Sequence, residues 1–162
     1  MQNPIIKRIE YTELDTCAKL IRESFGTVAK EFNLTHENCP SNGAFIETSR
    51  LQADWDKEKL MFGLYCGPIL VGCMILELKN TNVYELEKLA IHPHYRHMGY
   101  GSLLLSYALK VAAEAHVSKV TLGIIEENIR LKSWYQTHGF IHTGTAQFAH
   151  LPFTVGYMEQ SL

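Results

Sequence analysis

The segment Arg96-His97-Met98-Gly99-Tyr100-Gly101 has the composition of an anion-binding loop, and the apolar run that follows, Ser102 to Ala115, carries no charge except Lys110 and Glu114. A helix N-terminus leaves its first backbone N–H groups without intrahelical partners and carries about half a positive charge, so a loop placed there suits a pyrophosphate. Gly99 and Gly101 remove side chains that would stand between amides and phosphate oxygens, and Arg96 adds a charge-assisted donor. A second candidate chemistry lies just upstream. Glu85 and Glu87 are two residues apart on an expected strand and therefore share one face, where either carboxylate can accept a proton as a general base. The competing reading of this pair is a half-exposed strand turned to solvent.

Other chemistries fit less well. A dinucleotide site calls for G-x-G-x-x-G after a first parallel strand with an acidic residue about 20 positions on, and the order of glycines here is different. No Walker-type G-x-x-x-x-G-K-[ST] string is present. His92, His94 and His97 place imidazoles close together, but Pro93 interrupts the strand and no cysteine or carboxylate completes a set, so no metal is expected. His94 and His97 are instead expected to line the phosphate loop, and His138 to cap the last helix near its C-terminus. Cys17, Cys39, Cys66 and Cys73 lack C-x-x-C spacing and a recognisable Cys-His context, which argues against a cysteine nucleophile and a covalent enzyme intermediate.

The elements that must hold these groups can be read from periodicity. A strand is expected over Ile5 to Ile9, then a helix carrying Leu14, Cys17, Ala18, Ile21 and Phe25, with Thr12 as N-cap and Gly26 as stop. Residues 33 to 44 read as a loop and Phe45 to Glu58 as a polar helical stretch. Leu60 to Cys66 and Leu70 to Leu78 flank the turn pair Gly67-Pro68, and Val83 to Ile91 follows a Lys79-Asn80-Thr81-Asn82 turn, so three antiparallel strands are expected in succession. The helix from Ser102 is expected to be largely buried. Val117 to Ile125 reads as a strand, Asn128 to Thr137 as a short helix closed by Gly139, and Phe140 to Phe148 with Phe153 to Met158 as a final strand pair.

The composition fits one domain over residues 1–162: 46% hydrophobic and 20% charged residues suffice for a core without a structural metal. A net charge of -2 gives no general attraction for nucleic acid or an anionic membrane, so a phosphate site must be local. The absence of a signal-like or long apolar segment, with four cysteines that need no pairing, leads to the expectation of a cytoplasmic protein with free thiols.

Two strings resemble signatures of the GNAT superfamily of acyl-CoA N-acyltransferases. LEKLAIHPHYRHMGYGSLLL is similar to its central motif, a strand, then Gln or Arg followed by two spaced glycines, then a helix. TLGIIEENIRLKSWYQTHGF is similar to its second signature, a strand, an Asn, a short helix with a Tyr, and Gly-Phe. The resemblance implies an α/β (α+β) acyl-CoA N-acyltransferase fold, a mixed, mostly antiparallel sheet of about six or seven strands flanked by helices, splayed between its fourth and fifth strands. It implies acetyl-CoA as cosubstrate, its pantetheine arm paired with the backbone of Leu89, Ala90 and Ile91. The pyrophosphate would lie on Arg96, His97, Met98, Gly99, Tyr100, Gly101 and Ser102, and Asn128 would reach the cofactor from the other side. Leu131 stands where many relatives carry a small residue. Tyr135 occupies the place of the tyrosine that protonates the departing sulfur, the competing reading being a packed core aromatic, and neighbouring Trp134 is expected in the core.

On this resemblance the chain is an N-acetyltransferase, moving an acetyl group directly to a primary amine of a small molecule. A protein N-terminus or lysine as acceptor, or a catalytically silent acyl-CoA-binding module, are the alternatives. Loop 33–44 and residues 146–158 are expected to select the acceptor, and the apolar C-terminal strand is a candidate for pairing with a second subunit in a homodimer.

Overall fold

The structure is a computed structural model that describes residues 3–162, so residues 1 and 2 of the expected 1–162 unit lie outside it. Among the described residues seven strands form a single sheet in the order β1-β2-β3-β4-β5-β7-β6. They are β1 (Ile5–Arg8), β2 (Leu60–Cys66), β3 (Ile69–Lys79), β4 (Val83–Ile91), β5 (Lys119–Ile125), β6 (Ile141–Gln147) and β7 (Thr154–Ser161). Among the described residues four α-helices accompany them: α1 (Leu14–Glu31), α2 (Thr48–Asp56), α3 (Tyr100–Glu114) and α4 (Ile129–Thr137).

The first four strands are antiparallel neighbours, and local turns join β2, β3 and β4 into a meander. Gly67 at φ 60° and Pro68 close the β2–β3 hairpin between Cys66 and Ile69. Asn80 and Thr81 at φ 42° and 66° turn β3 into β4, so that Lys79 faces Val83 and Glu77 faces Glu85. Apolar residues alternate between the two faces. Phe62, Leu64, Met74, Leu76 and Leu86 pack under α3, through Leu104, Leu105, Ala108 and Ala112. Met61, Tyr65, Cys73, Ile75 and Ala90 pack under α1 and α2, through Leu14, Cys17, Ala18, Ile21 and Leu51.

The feature that makes a site is the partial union of β4 and β5. They pair in parallel only at Val83–Lys119, Tyr84–Val120 and Glu85–Thr121. That junction is clamped just before it, where the Ser118 amide donates to the Asn82 carbonyl (2.8 Å) and the Asn82 side-chain amide to the Ser118 hydroxyl (3.0 Å). Beyond it the strands diverge, β5 pairing with β7 along Lys119–Ile125 and β4 with β3 alone. Two residues of β4, Lys88 and Leu89, oppose one of β3, Met74, and Lys88 adopts φ 52°. This bulge bends β4 at the point where its free edge begins.

Several expectations need correction. Helix α1 neither starts at Thr12 nor stops at Gly26: a 3-10 turn, Tyr11–Glu13, precedes it, held by a reciprocal capping box between Glu10 and Glu13. It runs on to Glu31 because Ala29 is needed in a third cluster with Leu34 and Cys39, and it ends where Asn33 turns to φ 55°. Helix α3 is buried on one face only, Leu103 being 46% exposed. The C-terminal strand β7 lies between β5 and β6 with both edges hydrogen-bonded, so it has none to offer a second subunit; the free edge on that side belongs to β6.

Candidate active site

Strand β4 leaves the sheet through a tightly tied segment. The His92 amide donates to Val71 O (2.8 Å), its Nδ1 accepts the His94 amide (3.1 Å), and its Nε2 lies 2.7 Å from Glu23 on α1. Since Nδ1 accepts, Nε2 carries the proton given to Glu23. His92 thus fastens the end of β4 to α1. The loop then turns through His97 at φ 64° and Gly99 at φ 81°, and α3 begins at Tyr100. Among the described residues the backbone N–H groups of His97, Met98, Gly99, Tyr100, Gly101 and Ser102 find no protein acceptor; the first amide of this segment with one is Leu103, bonded to Gly99 O at 3.1 Å. Unpaired amides at a helix N-terminus form an anion site.

The two glycines serve different ends. A Cβ on Gly99 would meet nothing within 4 Å, so its need is conformational and the space above it is open. A Cβ on Gly101 would lie 3.3 Å from Trp134 Cζ2, so this glycine lets α3 rest on α4. Trp134, half-buried, in turn stacks on His138, ring centroids 4.4 Å apart. His138 is the C-cap of α4, its Nδ1 2.8 Å from Trp134 O and its Nε2 2.8 Å from Ser102 Oγ. Because the carbonyl can only accept, neutral His138 carries its proton on Nδ1 and takes the Ser102 hydroxyl proton at Nε2. Two expected phosphate contacts are placed differently. The Arg96 guanidinium is bonded to Thr27 Oγ1 (2.9 Å) and Ser24 O (2.9 Å) on α1, and the Tyr100 ring is buried, its hydroxyl 3.5 Å from Cys66 Sγ.

The open edge of β4 carries Leu89 and Ile91 on the α3 face and Ala90 on the α1 face. Across the gap, Asn128 caps α4, its side-chain oxygen accepting the Leu131 amide at 3.2 Å, and Leu131 packs with Leu89 and Ile91 in the same cluster. Tyr135 belongs to that cluster too. It is 6% exposed and its ring sits edge-on to Trp134 (5.0 Å) and Phe140 (5.5 Å). Its hydroxyl bonds to no described residue, yet it is not among the buried polar atoms sealed without a partner. The hydroxyl therefore keeps a small accessible surface on an otherwise buried ring. Burial pushes the phenol up, which keeps it protonated at neutral pH.

On the opposite face Glu77, Glu85 and Glu87 bring one carboxylate oxygen each within 4.8 Å of the others. The cation that they gather around is Lys59. Its ammonium, on a side chain 7% exposed, lies 3.1 Å from Asp54, 3.2 Å from Glu77 and 3.1 Å from Glu87. Burial works against the lysine's charge, but Asp54, Glu87 and Glu77 outweigh it and push the ammonium up to about 12. Burial and the hydrogen bond with Glu77 raise Glu87 against the pull of Lys59, while Glu77, bonded by Glu87 and attracted by Lys59 and Lys79, is held down at about 2. A proton entering this pair thus settles on Glu87. Glu85 has neither an ion pair nor a hydrogen bond among the described residues.

The sequence reading brought together the loop, the β4 edge, Asn128, Leu131 and Tyr135, and put Glu85 and Glu87 on one face. It missed Asp54, Lys59 and Glu77. For Glu77 a signal existed: centring the hairpin on Asn80–Asn82 pairs 77 with 85. For Lys59 and Asp54, at the junction of α2 and β2, periodicity carries no sign of a buried charge.

The loops expected to select the acceptor meet. Phe32, Leu34, Cys39 and Ala44 pack with Ile125, Leu151 and Phe153, so the β6–β7 loop closes on the α1–α2 connection. Arg130 at the start of α4 reaches Glu31 at the end of α1 (3.0 Å), beside a shallow cleft of about 350 Å³ lined by Phe32, Glu127 and Asn128. None of the helices, among the described residues, is long and apolar enough to cross a membrane. The four cysteines are free, and the Cys73 thiol, bonded by Cys17 and buried, is pushed up, away from thiolate chemistry.

Solved structures share this architecture at low sequence identity. A ribosomal-protein alanine N-acetyltransferase from Escherichia coli superposes with a TM-score of 0.79 at 15% identity, over 98% of this chain and 94% of its own. The PaiA N-acetyltransferase of Thermoplasma acidophilum, in complex with coenzyme A, gives 0.74 at 21% identity, over 99% and 100%. A chimera of the spermidine N-acetyltransferase of Vibrio cholerae gives 0.74 at 17% identity, over 98% and 95%. The sequence model of the acetyltransferase (GNAT) family matches residues 28–140, which includes the splayed edge of β4, the glycine loop, Asn128 and Tyr135. With more than half of its length matched, the chain belongs to the acetyltransferase (GNAT) family.

Proposed function

We propose that the chain, over residues 1–162 as one domain, is a cytoplasmic N-acetyltransferase that moves an acetyl group from acetyl-CoA directly to the primary amine of a small molecule. The observation that carries this reading is the free edge of β4 leading into six consecutive unpaired amides, His97 to Ser102. A ligand with amides along an arm and a diphosphate at its end meets both sets of unused backbone groups, and the open space over Gly99 admits it. Coenzyme A has that chemistry, and bound as its acetyl thioester it supplies the group to be transferred.

The chain's residues have separable tasks in this reading. Leu89, Ala90 and Ile91 offer backbone partners to the arm, Asn128 and Leu131 wall it from α4, and the six amides hold the diphosphate. Transfer forms an N–C bond and breaks a C–S bond, so the amine must shed a proton and the sulfur must gain one. A lysine-like amine with a pKa near 10.4 arrives protonated and sheds two protons in all. Glu85, the carboxylate without a partner, accepts the first through water before attack; the Tyr135 hydroxyl gives one to the sulfur, and the second amine proton, released once the N–C bond has formed, replaces it. The contact of the β6–β7 loop with the α1–α2 connection supports a small acceptor, since it walls the approach that an extended polypeptide would need.

A screen of amines with acetyl-CoA, following thiol release, tests the reading. Turnover of small primary amines supports it. Turnover of peptides alone moves the acceptor class to proteins, and cofactor binding with no turnover of any amine leaves a binding module.

A further inference from the structure

We propose that Lys59 is a positioning residue for amine deprotonation: its buried ammonium locks Glu77 and Glu87 in place and leaves Glu85 as the carboxylate free to take the proton. The inference rests on the acetyl-transfer reading above for its consequence in turnover, and on geometry for its placement. An ammonium has three N–H donors, and Lys59 has three carboxylate partners, Asp54, Glu77 and Glu87, at 3.1, 3.2 and 3.1 Å. Asp54 is itself 3% exposed and also receives the Lys59 amide at its carbonyl (3.2 Å), so backbone and side chain of the lysine are held by the same residue.

A buried ion cluster of this kind is seldom kept for stability, because well-packed apolar residues of the same volume do as well or better. What this cluster does is sort three neighbouring glutamates. Glu77 and Glu87 are engaged by the ammonium and by each other, and the one left over, Glu85, lies directly opposite Glu77 at the last paired position of β4 and β5, where the gap begins. The charged groups that face the cluster come from each adjoining element. They are Arg50 and Asp54 of α2 (3.7 Å apart), Glu77 and Lys79 of β3 (3.4 Å), and Glu85, Glu87 and Lys88 of β4; α1 contributes the Phe25 ring, with the Lys88 ammonium 5.5 Å from its centre. Of the four cations, Lys59 alone touches Glu87 and Glu77 together, so its removal is the change that frees them to crowd Glu85 with uncompensated charge. Loss of a nearby cation raises carboxylate pKa values.

The test uses the full chain labelled with carboxyl-carbon-13 glutamate, with the Glu85 signal assigned by loss in Glu85→Gln. In Lys59→Met the Glu85 titration midpoint is expected to move up by about one pH unit, and the acid limb of kcat/KM, measured with one acceptor for all variants, to move with it. Lys59→Arg, which keeps the charge, is expected to restore both. Because Lys59→Met leaves the buried Asp54 with Arg50 alone, the double variant Lys59→Met, Asp54→Asn is measured alongside, and the midpoint is read from the resonance of the folded chain, resolved from that of the unfolded chain. A Glu85 midpoint that stays put in both variants overturns the proposal, as does a larger loss of turnover in Glu87→Gln than in Glu85→Gln. A shifted Glu85 midpoint in a protein that turns over no amine overturns the acetyl-transfer reading and supports the placement of Lys59.

Discussion

Replacing Tyr135 by Phe removes one oxygen and nothing else that the packing uses. The ring keeps its edge contacts with Trp134 and Phe140, 5.0 and 5.5 Å away, and the lost hydroxyl has no partner among the described residues, so none of their donors or acceptors is orphaned. Stability should therefore stay within about 0.5 kcal/mol, a change of about 1–2 °C in Tm for a chain of this size. Binding of coenzyme A, read as the rise in Tm at saturating ligand, should be equally unaffected, because the amides of residues 97–102 are untouched. If the hydroxyl protonates the sulfur, turnover falls about ten- to a thousand-fold, equivalent to about 1.4–4 kcal/mol in the barrier, the smaller loss corresponding to water standing in as donor. The assay is thiol release at saturating acetyl-CoA and a good acceptor amine, since a poor acceptor makes amine attack limiting and hides a defect in protonation. Unchanged turnover refutes the acid role and leaves a packing aromatic. A loss of affinity in step with rate refutes it differently, by making the hydroxyl an anchor for the cofactor.

Gly99→Glu places a carboxylate in the open space above the six amides and should abolish the coenzyme A-induced rise in Tm, which in the parent is worth about 2.7 kcal/mol at a hundredfold excess over Kd; an unchanged rise moves the cofactor site elsewhere. Lys59 is pushed up to about 12, so its stabilisation is whole below the unfolded value near 10.4 and fades as pH rises through 12; the Tm difference between the parent and Lys59→Met should shrink across that window, and a constant difference would mean packing and not charge. Arg96→Ala removes the guanidinium from Ser24 and Thr27, and hydrogen exchange should quicken in the middle of α1; exchange that stays slow there, with weaker coenzyme A binding, would show Arg96 leaving α1 for the phosphate.

The glycine loop was legible because its requirements are local: a left-handed φ at Gly99 and a helix N-terminus are written in adjacent residues. The β2–β3–β4 meander was legible for the same reason, two short turns fixing the register of Glu77 against Glu85. What depended on distant contacts was not. The stop expected at Gly26 yielded to burial of Ala29 against residues from two loops and the end of β5, and Arg96 found Ser24 and Thr27 some seventy positions away, far outside any motif window. The buried Lys59 is the sharpest case. Nothing in a lysine beside an apolar strand tells that its ammonium meets carboxylates from α2, β3 and β4, because the three come together only once the sheet has formed.

The parting of β4 and β5 has an energetic logic of its own. A strand edge inside a sheet leaves backbone groups without partners, and a chain that folds with such an edge gives up hydrogen bonds that closure would have made. Here closure was within reach, for the clamp between Asn82 and Ser118 starts a parallel pair and three residues follow in register. The bulge at Lys88 then turns β4 away, and β5 gives its other edge in full to β7. The unused groups of β4 lie in one chain segment with the unused amides of His97 to Ser102, separated by the turn that His92 fastens to α1. Two unrelated gaps would sit anywhere on the surface. Two sets of unmet backbone groups in one segment, first along a strand edge and then, past a tied turn, around a helix end, are what an extended ligand with amides and a terminal diphosphate requires, and binding such a ligand returns hydrogen bonds that the fold left unmade.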